Sequence, residues 1–267
     1  MPKTKTNGIE LYYQIHGEGK PLVLISGLGY SLWQWHKMVP FLAEHFQVVI
    51  FDNRGAGQSE KPDGPYTAQM LAADTVGLLE ALNIEKATIM GHSMGGFIAQ
   101  AIALDFPQKV EKLILGSTNF GGPHHIPVTE EALKVLTDVS SDPLTRFKNG
   151  LVVSTAPGWA EKNPEMIQKW VEWRLANPIE PVAYQAQLAI GLGLLSPNAA
   201  FEDQLPRLNI PTLILFGAHD QVVPPENAAL LAEKIVNSKV VIFPNAGHFF
   251  PIEIAEAASQ AVIKFAK

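Results

Sequence analysis

Short apolar runs recur along the chain, each ending in a polar, glycine-bearing turn, and amphipathic stretches lie between them. Residues 9–15 alternate apolar and polar positions well enough for an early strand, and Gly17-Glu18-Gly19-Lys20 turns it into Pro21-Leu22-Val23-Leu24-Ile25. That second run is uniformly apolar, the pattern of a strand covered on both faces inside a parallel sheet. Residues 48–51, 87–90, 110–115, 210–216 and 240–243 supply further strands. Helices are expected near residues 33–43, over 67–82 with Thr67 as cap, and over 97–104 with Pro107 ending the run. Two more are expected over 226–235 and from about 252 to 265.

The alternation stops between residues 119 and 198. Helical segments there are separated by Pro127, Pro143, Pro157, Pro164, Pro178, Pro181 and Pro197, and Trp159, Trp170 and Trp173 fall among them. A loop of that length is uncommon, so a mostly helical insertion is expected, covering the site. Residues 1–118 and 199–267 then form an α/β core and residues 119–198 a helical cap. Strands alternating with helices imply a mostly parallel central sheet flanked by helices, with ligands bound at the strands' carboxyl ends.

The candidate chemistry gathers at those ends. Ile89-Met90-Gly91-His92-Ser93-Met94-Gly95-Gly96 closes a strand and opens a helix, and Gly-x-Ser-x-Gly in that setting is a nucleophile elbow. The pattern alone also occurs in ordinary turns. A serine hydroxyl needs a base to take its proton, and His248, in the loop Pro244-Asn245-Ala246-Gly247-His248 after a late strand, is the strongest candidate. His92 is expected to point elsewhere, and His16 and His45 look like surface positions. An acid must orient the base. Asp220 follows the strand at 210–216, giving the order serine, acid, histidine, with Asp52 as the rival from another strand end. Asp52 and Arg54 otherwise read as a local ion pair bracing their turn. Charge developing on a carbonyl oxygen needs two N–H donors, expected from Met94 and from Leu28 in the Ser26-Gly27-Leu28-Gly29 loop.

Composition narrows the field. With 267 residues, 47% hydrophobic and 17% charged, the chain can bury one large core without staples. A net charge of −6 with interspersed signs argues against nucleic acid as a partner. The chain has no cysteine, which excludes disulfides, thiolate catalysis and cysteine-based metal sites. No apolar segment follows the basic start of the chain, and no apolar run is long enough to span a bilayer, so no membrane partner and a cytoplasmic location are expected.

Gly91-His92-Ser93-Met94-Gly95-Gly96, Asp52-Asn53-Arg54-Gly55-Ala56-Gly57-Gln58-Ser59, Gly217-Ala218-His219-Asp220 and Gly247-His248 together resemble the α/β-hydrolase superfamily over nearly the whole chain. Within it the chain is similar to carboxylesterases and the 3-oxoadipate enol-lactonase group, including Asn177-Pro178, Ala183-Tyr184, Gln187 and the Pro224-Pro225-Glu226-Asn227 turn. The resemblance implies an α/β-hydrolase fold with Ser93, Asp220 and His248 as triad, Leu28 and Met94 as oxyanion donors, and a helical cap. Many relatives carry His-Gly where this chain has Ser26-Gly27, which bears on the oxyanion loop. A serine nucleophile counts against the epoxide hydrolases and haloalkane dehalogenases, which use aspartate.

The expected function is a serine carboxylesterase acting on small esters through an acyl-enzyme, with no metal or cofactor needed. A lactone hydrolase would want a cation for the substrate's carboxylate, with Arg146 and Arg174 as candidates. A triad-retaining ligand receptor is the alternative from another class. Gly27, Trp159, Trp173, Arg146 and Arg174 are the expected pocket residues.

Overall fold

The computed structural model describes residues 2–138, 140–196 and 198–267; Met1 and Pro197, part of the readings above, lie outside them. Eight strands form one sheet: β1 (Lys3–Thr6), β2 (Ile9–His16), β3 (Pro21–Ile25), β4 (Gln47–Phe51), β5 (Ala87–His92), β6 (Val110–Gly116), β7 (Thr212–Gly217) and β8 (Ser238–Phe243). Their order is β1-β2-β4-β3-β5-β6-β7-β8. β1 and β2 pair antiparallel to their neighbours, and β4 through β8 form a parallel array.

The uniformly apolar strands have the cause expected of them. Val23, Ile25, Val49 and Phe51 pack on one face, and Leu22, Leu24, Val48 and Ile50 on the other. Helices α1 (Val39–Leu42), α2 (Ala68–Ala81) and α3 (Met94–Asp105) precede β6. Five more lie between β6 and β7: α4 (Glu130–Leu136), α5 (Pro143–Ser154), α6 (Trp159–Lys162), α7 (Pro164–Ala176) and α8 (Pro181–Gly193). Among the described residues no strand interrupts them. The chain finishes with α9 (Asn227–Lys234), α10 (Phe250–Glu253) and α11 (Ala255–Ala266). α2, α3 and α9 cover the first face, α1 and α11 the second.

Thr67 caps α2 by accepting from the Met70 N–H, one of the donors a helix start leaves free. Three local readings change. Residues 33–43 form no continuous helix: a 3-10 turn (Leu32–Trp35) capped by Ser31 precedes the four-residue α1, because Trp35 and Met38 fill the core from a tighter path. The final helix is two helices broken at Ile254. β1 escapes prediction because Lys-Thr-Lys-Thr carries no apolar face; its pairing with β2 holds it.

Candidate active site

β5 ends at His92, and Ser93 stands between it and α3 with φ 56° and ψ −122°. A non-glycine residue there stores about 1–3 kcal/mol, so its neighbours must hold it. They do so by close approach. A Cβ on Gly91 would lie 2.0 Å from the Gly95 carbonyl oxygen, and one on Gly95 would lie 2.2 Å from that of Ile25. The Ser93 N–H donates to the Gly116 carbonyl on β6 at 2.9 Å, fastening the turn to the sheet.

His248 and Asp220 are joined. Both are buried, and the His248 Nδ1–H donates to Asp220 Oδ2 at 2.9 Å, with Oδ1 at 3.1 Å. Asp220 is itself oriented by the N–H groups of Val222 and Val223, at 3.0 and 2.8 Å from Oδ1. A proton held on Nδ1 by a carboxylate leaves Nε2 with its lone pair free to accept.

His92 has a role at the site that its residue type did not reveal. It is fully buried, and its Nε2–H donates to the His248 carbonyl at 2.7 Å. Burial, with the His248 imidazole beside it, pushes its pKa well below the usual histidine value, so it stays a neutral donor. Glu253 supports the same loop, accepting from the Gly247 N–H at 3.0 Å and the Ala156 N–H at 2.7 Å.

The loop after β3 is held peptide by peptide. Gly27 N–H donates to Gln34 Oε1 at 2.9 Å, Gly29 N–H to Gln187 Oε1 at 2.9 Å, and Tyr30 N–H to the Gly27 carbonyl at 3.2 Å. Leu28 supplies the remaining N–H between them. Ser26 Oγ donates to the Ser31 carbonyl at 3.1 Å, and the Ser26 carbonyl accepts from Asn53 Nδ2 at 3.1 Å, so Ser26 braces the loop. Met94 is the first residue of α3, where a helix leaves N–H groups unpaired.

A cavity of about 120 Å³ opens beside Ser93, lined by Leu28, Met94, Phe97, Gln187, Leu188 and Gly191. Gly27 borders Ser93, since a Cβ on it would lie 3.2 Å from the Ser93 Cβ. Trp173 and Arg174 line a separate, smaller cavity with Gly29 and Lys61. Arg174 Nη1 donates to the Gly29 carbonyl at 3.1 Å, and its guanidinium lies 4.8 to 5.2 Å from the rings of Trp173, Phe147 and Tyr30, while its buried Nε has no partner among the described residues. Trp159 packs in the aromatic cluster around fully buried Trp170, and Arg146 donates to the Asp138 carbonyl at 3.4 Å; neither lines these two cavities. Asp52 and Arg54 do not pair with each other. Asp52 accepts from the Leu32 and Gln58 N–H groups, while the buried Arg54 guanidinium donates to Asp74 on α2.

The alpha/beta hydrolase fold profile matches residues 20–254. The chain belongs to the α/β-hydrolase family. This hydrolase is 28% identical over 260 residues to 3-oxoadipate enol-lactonase 2 of Acinetobacter baylyi, covering 95% of this chain and 92% of that protein. The solved enol-lactonase of Burkholderia xenovorans superposes with a TM-score of 0.81 at 29% identity, covering 99% of both chains. A thermophilic esterase of Thermogutta terrifontis gives the same TM-score and identity, over 99% of this chain and 97% of that one. Among the described residues, no helix of this hydrolase is long and apolar enough to cross a membrane.

Gln34, His92, Gln187 and Glu253 are the site-supporting residues whose roles sequence reasoning missed. One signal was available: Gln187 interrupts the apolar stripe Ala183, Ala186 and Ile190 on α8, and a buried amide on an apolar face needs partners.

Proposed function

We propose that this hydrolase is a serine carboxylesterase for small, neutral carboxylic esters, working through an acyl-enzyme. The observation carrying this reading is the strained Ser93 turn bordering one cavity with Leu28 and Met94, with the His248–Asp220 pair tied to the same turn through His92. Ser93 Oγ attacks the ester carbonyl as His248 Nε2 takes its proton, and the Leu28 and Met94 N–H groups receive the developing oxyanion. His248 then protonates the departing alcohol, and Asp220 stabilises the imidazolium. Water clears the acyl group by the same route. The residues from 119 to 198 serve as the cap, with Gln187, Leu188 and Gly191 as one pocket wall.

The apolar wall supports a neutral acyl chain, and a cavity of about 120 Å³ is room for a short one. Enol-lactone hydrolysis is the second reading, favoured by the enol-lactonase relatives. The engagement of Arg174 with Gly29 and three aromatic rings weighs against its serving as a carboxylate clamp. Steady-state rates on p-nitrophenyl esters of increasing chain length, with a carboxylated enol-lactone alongside, test the choice. The proposal expects the highest kcat/KM on short neutral esters; a strong preference for the lactone overturns it.

A further inference from the structure

Gly29 follows Leu28, and both of its backbone polar groups are held by side chains from the segment between β6 and β7. Its N–H donates to Gln187 Oε1 on α8 at 2.9 Å, and its carbonyl accepts from Arg174 Nη1 on α7 at 3.1 Å. Gln187 also donates through Nε2 to the Arg54 carbonyl in the loop after β4, at 2.8 Å. One amide thus bridges two loops of the core, and at 1% exposure it has no water to turn to. The fit is steric as well. Gly29 holds φ +69°, and a Cβ there would lie 2.8 Å from Ile179 Cδ1 and 3.3 Å from the Tyr184 ring.

The peptide plane carrying the Leu28 N–H lies between one pinned by Gln34 and one pinned by Gln187. Its own carbonyl, that of Gly27, accepts from the Tyr30 N–H at 3.2 Å, the longest of these bonds, so the two flanking anchors share in aiming that N–H. We infer that Gln187 and Arg174 are positioning residues that set the oxyanion loop, so the Leu28 donor is aimed for catalysis only while α7 and α8 are docked. This rests on the esterase reading above, because it is the oxyanion that Leu28 must meet.

The test compares wild type, Q187L, Q187E and R174M on a neutral p-nitrophenyl ester, with inhibition by an aryl trifluoromethyl ketone and thermal melts. The ketone's adduct with the serine puts its oxygen in the oxyanion position, so it reports loop geometry directly. A fully removed oxyanion donor costs about 10²–10³-fold, so a misaimed one in Q187L is expected to cost about 10- to 100-fold in kcat. KM stays within about threefold, and ketone affinity falls in step with kcat/KM, as an interaction made in the transition state requires. Q187E keeps an acceptor for Gly29 but sets a second oxygen against the Arg54 carbonyl where Gln187 donates, so it recovers only part of the loss; R174M shows the same signature more weakly. A merely structural role lowers the melting temperature and leaves kcat per folded molecule unchanged. Wild-type kcat in Q187L and R174M, or a loss confined to KM with ketone affinity intact, overturns the coupling alone; if Q187L fails to fold, R174M decides on the same readings. A wild type that neither turns over esters nor binds the ketone overturns the esterase reading and this inference with it.

Discussion

Burial pushes the Glu253 carboxyl from 4.5 up to about 7, against the pull of the Ala156 and Gly247 N–H donors. Of the ionisable groups facing it, Asp220 adds to the rise and His248 opposes it. A carboxyl with a raised pKa binds its proton more tightly in the folded chain than in the unfolded one. Its contribution to stability is therefore complete below pH 4.5 and is lost as pH climbs through about 7. Each pH unit of that interval is worth about 1.4 kcal/mol, so the side chain costs about 3 kcal/mol at pH 8 relative to pH 4.5. E253Q keeps an acceptor for the two N–H groups and cannot ionise. Urea unfolding of both proteins at pH 4.5 and pH 8 measures the effect as a double difference, in which Asp52 and Asp74, also raised by burial, titrate in both proteins and cancel. The advantage of E253Q over wild type is expected to grow by about 3 kcal/mol between the two pH values. An advantage constant to within about 0.5 kcal/mol would refute the assignment of the shift to Glu253.

Two other substitutions probe the frame around the site. D74A strands the buried Arg54 guanidinium, and losing one partner of a buried pair costs about 3–5 kcal/mol, read as a melting temperature lower by about 6 °C or more; a drop under about 2 °C contradicts the pairing. G95A drives a methyl group into the Ile25 carbonyl, a backbone atom that cannot rotate away, so a loss above about 3 kcal/mol or no soluble protein is expected; a soluble variant melting like wild type would refute the close approach.

What could be read in advance was what local pattern encodes. Leu22-Val23-Leu24-Ile25 announces a strand covered on both faces because its neighbours take alternate residues into two cores. Thr67 announces a helix start because its side chain answers a donor three residues away. Ser93, Asp220 and His248 stood out because turn residues follow directly on apolar runs, and the structure keeps Asp220 and His248 in contact. Pairings made across the fold leave no such trace. Arg54 lies two residues from Asp52 but meets Asp74, and Gln187 finds Gly29 across 158 positions. Glu253 falls in the stretch expected as one last helix, and its bond to the Gly247 N–H comes with the break at Ile254. Arg174 is a candidate in the sequence for holding a substrate carboxylate, whereas its surroundings are three aromatic rings and a carbonyl.

The claim that Ser93 carries the acyl group is tested most directly by trapping it. Wild type and S93A are incubated with a fluorophosphonate, digested, and the adduct is located by mass spectrometry, with hydrolysis of a short-chain p-nitrophenyl ester followed in parallel. The account predicts one adduct, on Ser93, that is absent from S93A together with the esterase activity. An adduct on another residue, or an S93A protein that still hydrolyses the ester at the wild-type rate, would contradict it.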